Sequence, residues 1–158
     1  MPWLHELSSH QMELVSAALR HISDARTLLP SSPVQAMYLA GYGPECIRKA
    51  ALMRLPGDEE DQRNRAIGHR FGKPEELTLK LFCDSDTLAP RYRLTGWKSQ
   101  VNVLGDWKED LRYGRSDSVP RGRATRLVDA CETLTVQTLA DLWSDGRLEP
   151  LDTLLRTS

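Results

Sequence analysis

The chain has 158 residues, 27% of them charged, with a formal net charge of −1. That length suits a single domain, residues 1–158, and the balanced charge excludes a whole-protein pull toward nucleic acid, membrane or acidic ligands. No apolar run approaches the roughly 18 residues of a membrane span, and Pro2, His5 and Glu6 stand where a secretory leader needs a cationic and then an apolar stretch; a cytoplasmic protein is expected.

The first helix is predicted from Ser8 or Ser9, either of which can cap it. Met12, Val15, Leu19, Ile22 and Leu29, with Ala18 and Ala25, mark its apolar stripe, and Pro30 ends it. Ser31 and Ser32 precede a second helix with Pro33 in its first turn, which runs to about Arg54 before Leu55, Pro56 and Gly57 break it. Its middle, Ala36 to Leu52, mixes small residues (Ala36, Ala40, Gly41, Gly43) with Tyr38, Tyr42 and one acid among apolar neighbours, Glu45. Small residues allow close approach of another helix, and a half-buried Glu needs a partner such as Arg48 or Lys49. Pro44 cannot donate to the Ala40 carbonyl, so a kink near Ala40, or a helix broken in two, is predicted.

Residues 57–72 read as a loop, first acidic and then basic. A short helix follows from Pro74, carrying Leu77, Leu79, Leu81 and Phe82. Trp97, Val101, Leu104, Trp107 and Leu111 predict a further helix that stops at Tyr113-Gly114. The last long helix starts near Pro120, shows Leu127, Cys131, Leu134, Thr138 and Leu142 on one face, and ends at Gly146. In the tail, 147–158, Leu151, Leu154 and Leu155 share one side and suit docking on the body or on a partner. No segment alternates at period two long enough for a strand. The expected fold is all-α: an up-and-down four-helix bundle, core about 9–146, with one or two extra short helices.

Cys46, Cys83 and Cys131 lie far apart without a CxxC pair, and Cys46 and Cys131 fall on apolar helical faces as reduced core thiols. No His pair has zinc-ligand spacing and no phosphate loop follows a strand, so neither metal nor cofactor is expected. The region 91–126 has nine Lys or Arg against four Asp or Glu, with Tyr92, Trp97, Trp107 and Tyr113 interleaved. Arginine and aromatics together hold phosphates and stack bases. Arg112, Tyr113, Arg115, Arg121 and Arg123 are therefore the candidate nucleotide or RNA contacts.

Tyr38-Leu39-Ala40-Gly41-Tyr42 followed by Glu45 and Lys49-Ala50, then Gly68-His69 with Leu77 and Leu81, then Trp107 followed by Arg112-Tyr113, resembles the HEPN domain family. The resemblance implies an all-helical fold and a homodimer or a complex with a neighbouring-gene product, in a defence, toxin–antitoxin or stress setting. Many members are metal-independent ribonucleases with an Arg-x(4–6)-His motif. Arg63, Asn64 and His69 fit it in letters, His to take the 2′-hydroxyl proton and Arg to hold the phosphate. In that branch the motif sits near the start of the last long helix, whereas here the equivalent region, Trp107 to Arg126, has no His. The sequence therefore favours a non-catalytic, HEPN-like binding module, with the ribonuclease as the alternative.

Overall fold

The computed structural model describes residues 7–52, 104, 107–115 and 118–148. Their regular structure is helical throughout: α1 (Ser9–Leu28), α2 (Pro33–Leu52), a 3-10 helix (Glu109–Tyr113) and α3 (Arg121–Ser144). None of the helices among these residues is long and apolar enough to cross a membrane.

Ser8 starts α1 with a capping box. Its hydroxyl accepts from the Gln11 amide while Gln11 Oε1 accepts from the Ser8 amide. The buried stripe runs Gln11, Val15, Ala18, Ile22 and Ala25, so Leu19 is left at the flank, 37% exposed. A short connection through Pro30 turns the chain back into α2, and the two helices pack as an antiparallel hairpin.

Of the two outcomes expected at Pro44, a kink near Ala40 or a helix broken in two, the second does not occur: α2 runs through Pro44 as one helix. The lost donor costs one intrahelical bond at Ala40, but buried contacts grip the helix on both sides of it. Ala36, Met37 and Ala40 lie in one core cluster, and Ile47, Ala50 and Ala51 in another. The neighbouring Gly43 is a contact point of α1, α2 and α3. A methyl there would sit 2.7 Å from Ile22 Cδ1 of α1 and 2.9 Å from Thr135 Oγ1 of α3.

The predicted apolar face of α3 is the observed one: Leu127, Cys131, Leu134, Thr138 and Leu142 are all buried. Thr135 and Thr138 return their hydroxyls to the carbonyls of Cys131 and Leu134, which removes the cost of burying them. Gly146, at φ +68°, ends the helix in a Schellman turn: its amide reaches the Trp143 carbonyl and the Arg147 amide reaches that of Leu142.

At this end of the bundle Gln11 Nε2 donates to the Ala50 carbonyl at 2.9 Å and Arg147 Nη1 to that of Ala51 at 2.8 Å. Two last-turn carbonyls of α2 are thereby satisfied by side chains from α1 and from beyond α3. The opposite end is tied by Arg26 of α1, which bonds Asp129 and Glu132 of α3, and by Arg121, which donates to the Pro30 carbonyl at 2.9 Å. These contacts fix the directions: α2 and α3 run the same way, and α1 runs against both.

Candidate functional site

Trp107 assembles the most distinctive corner of the molecule. Its indole lies flat against α2 at Gly41, where a methyl group would fall on Nε1, Cε2 and Cδ1 of the ring. Only a residue without Cβ allows that approach. Trp107 Nε1 donates to the Tyr38 carbonyl at 3.0 Å, and the side chain is 3% exposed. This anchor explains why the predicted helix does not continue to Tyr113. The Trp107 amide closes a turn on the Leu104 carbonyl, Lys108 is extended, and the chain re-forms only as the short 3-10 helix. Tertiary fixation of the indole outweighs the helical spacing of Leu104, Trp107 and Leu111.

The aromatic residues of α2 continue from that anchor. Tyr42 packs edge-on against Trp107, with ring centroids 5.3 Å apart, and edge-on against Tyr38 at 5.2 Å. The Tyr42 hydroxyl donates to Tyr38 Oη at 3.1 Å. On the other side, His21 of α1 lies 5.4 Å from the Tyr42 ring. Its Nδ1 is buried and finds no hydrogen-bond partner among the described residues. Burial, and then Arg20, hold the His21 pKa below its ordinary value, against the opposing pull of Asp24 and Glu45.

Arg112 and Tyr113 form the exposed rim. The Arg112 guanidinium lies over the Tyr113 ring, 4.6 Å from its centroid, and Tyr113 is 73% exposed. Tyr113, and then a side-chain hydrogen bond with Tyr38, raise the pKa of Arg112 above its ordinary value. Gln35 Nε2 donates to the Arg112 carbonyl at 3.4 Å, and Gly114 packs on Val34. Both contacts hold the 3-10 helix against the first turns of α2. Arg112, a sequence candidate, thereby meets Tyr38, which sequence reasoning treated only as a packing anchor. The signal available was the four-residue spacing of Tyr38 and Tyr42, which places both rings on one helical face.

The other candidates are distributed differently. Arg121 is committed to the Pro30 carbonyl, a structural tie. Arg115 and Arg123 are exposed. Arg63, Asn64 and His69 lie outside the described residues, as do Leu151, Leu154 and Leu155.

Glu45 is 3% exposed and its Oε1 accepts from Lys49 Nζ at 2.6 Å, the intrahelical pairing expected for it. Arg48, one turn from the helix end, is fully buried. Cys46 and Cys131 are free thiols. Burial first, and Glu45 second, push the Cys46 pKa up to about 11, and burial alone pushes Cys131 higher still. Neither is poised as a nucleophile. No group of three His, Cys, Asp or Glu among the described residues is placed to hold a metal ion.

Comparison of the chain with known families, with curated proteins and with solved structures finds no match. Function is therefore argued from the Arg112 corner and from the sequence resemblance alone.

Proposed function

We propose that this protein is a HEPN-like binding module without catalysis of its own, which contacts a nucleotide or RNA through Arg112 and Tyr113. The single observation that carries this reading is the exposed guanidinium held over an exposed tyrosine ring. That pairing joins a phosphate-binding cation to a base-stacking surface. Arg115 and Arg123, exposed on the same basic stretch of chain, extend the electrostatic attraction; Arg121 contributes charge from a fixed position.

The four-helix part of the reading draws on chain direction. The α2 helix leaves at one end of the bundle, and α3, parallel to it, begins at the other. A fourth helix running against both would complete the up-and-down bundle of this reading. Trp107 against Gly41, followed by Arg112 beside Gln35, runs opposite to α2, which supports that reading. A homodimer, or a complex with a neighbouring-gene product, belongs to the same reading. The exposed Val136 and Trp143, seven residues apart on α3, give a partner apolar surface to meet.

Fluorescence anisotropy with a labelled single-stranded RNA tests the proposal. The wild type should bind saturably, and Arg112→Ala and Tyr113→Ala should each weaken binding at least about tenfold. Equal binding by wild type and both variants would reject it.

A further inference from the structure

Arg112 and Tyr113 sit on an element that cannot place itself. A 3-10 helix of five residues, Glu109–Tyr113, has too few internal bonds to hold a fixed position alone, and Lys108 starts it without a side-chain cap. Among the described residues it is α2 that holds it. As the chain advances from Trp107 to Gly114, its contacts step back along α2, from Gly41 and Tyr38 to Gln35 and Val34. Val34, Tyr38 and Gly41 are spaced by four and three, so they lie along one face of that helix.

These contacts are unequal. Gln35 reaches the Arg112 carbonyl at 3.4 Å, a long hydrogen bond from a flexible side chain. Gly114 meets Val34 by apolar contact, which sets a distance and no direction. Trp107 is both buried and bonded. It is 3% exposed, its ring takes the place of a Cβ at residue 41, and Nε1 lies 3.0 Å from the Tyr38 carbonyl. The indole N–H is a donor of fixed direction, so this bond sets the ring along α2 as well as against it.

We propose that Trp107 is a positioning residue for the Arg112–Tyr113 contact: the seat of its indole against Gly41 and Tyr38 fixes where along α2 the two rim side chains meet a ligand. This rests on the binding reading above and adds to it a buried residue that touches no ligand itself. Only Lys108 to Leu111 separate the indole from Arg112. The bonds from the Leu111 amide to Lys108 and from the Gly114 amide to Leu111 stiffen that stretch. A shift of the ring therefore carries to the guanidinium with little slack.

Trp107→Phe keeps a ring in the Gly41 slot and removes the donor. The Tyr38 carbonyl lies within α2, where the amide four residues on still serves it. Gln11→Ala is the control for a weakened fold, since it removes the bond to the Ala50 carbonyl at the opposite end of the bundle. Anisotropy with labelled single-stranded RNA would be read for the wild type, both variants, Arg112→Ala and the Trp107→Phe/Arg112→Ala double variant, each kept below its unfolding transition by circular dichroism.

Trp107→Phe should weaken binding at least about fivefold, the factor of one hydrogen bond, and Gln11→Ala by less than about twofold. In the Arg112→Ala background the loss from Trp107→Phe should shrink to about twofold, because the main side chain it positions is gone. Wild-type affinity in Trp107→Phe, an equal loss in Gln11→Ala, or the same loss with and without Arg112 would each overturn the proposal, while the binding reading stands on Arg112→Ala. If the wild type does not bind the RNA, the binding reading falls and this inference falls with it.

Discussion

Replacing Gly41 with alanine separates packing from helix propensity, because the two act in opposite directions. Gly41 lies inside α2, where alanine is intrinsically favoured by about 1 kcal/mol. The added methyl, however, occupies the place of the Trp107 indole. The ring cannot yield by rotating a flexible end. It is buried, and its nitrogen is bound to the Tyr38 carbonyl at 3.0 Å. Expelling it forfeits roughly what truncating a buried tryptophan costs, about 3–5 kcal/mol. The net expectation is a destabilisation of about 2–4 kcal/mol. For a domain of this size that lowers Tm by about 4–16 °C. Gly122→Ala in α3 is the control, since a methyl there meets nothing within 4 Å and should be neutral or stabilising by a few tenths of a kcal/mol. Thermal unfolding followed by circular dichroism reads both. A Gly41→Ala protein as stable as wild type, or more so, would refute the Trp107–Gly41 contact.

Four further outcomes follow from the same contacts. His21 has its pKa depressed in the folded state, so the fold favours its neutral form; stability should be full above the unfolded value near 6.5 and fall as the pH drops below it, and a His21→Gln variant should show a smaller loss of urea midpoint between pH 7.5 and 5. Arg26→Ala should cost about 1 kcal/mol at low salt by removing the bonds to Asp129 and Glu132, and the difference should shrink in 1 M salt, where the Debye length is about 3 Å. Gly146→Ala should cost about 1 kcal/mol in chemical denaturation, since a side chain is strained at φ +68°. Native alkylation at neutral pH, mapped by peptide mass spectrometry, should leave Cys131 unmodified and Cys46 far slower than in denaturant; rapid native labelling of Cys131 would contradict its burial.

What the sequence made legible were the features written in local chemistry. Ser8, one of the two expected caps, Pro33 in a first turn and Gly146 at a helix end each act through neighbouring backbone groups. The buried face of α3 was legible for the same reason, since its apolar residues recur at helical spacing. Features that depend on distant partners were not. Gln11 and Arg147 are polar residues that no local spacing marks, yet they are buried, donating to the carbonyls of Ala50 and Ala51. Pro44 reads as a kink or a break, but the core contacts on either side of it hold α2 together as one helix. Trp107 reads as part of a continuous helix until its indole is seen fastened to α2. In the candidate site, Arg112 and Tyr113 were visible as a basic residue beside an aromatic. Tyr38 was not, because its link to Arg112 spans more than seventy residues of chain.

The central proposal, that the protein contacts a nucleotide or RNA and does not cut RNA, is tested most directly by incubating a saturating amount with labelled single-stranded RNA in chelator. Anisotropy and the length of the RNA would then be read from the same tube. The account predicts high anisotropy that requires Arg112 and Tyr113, with RNA of unchanged length. RNA cut by the wild type and spared by His69→Ala would contradict it and establish the ribonuclease instead.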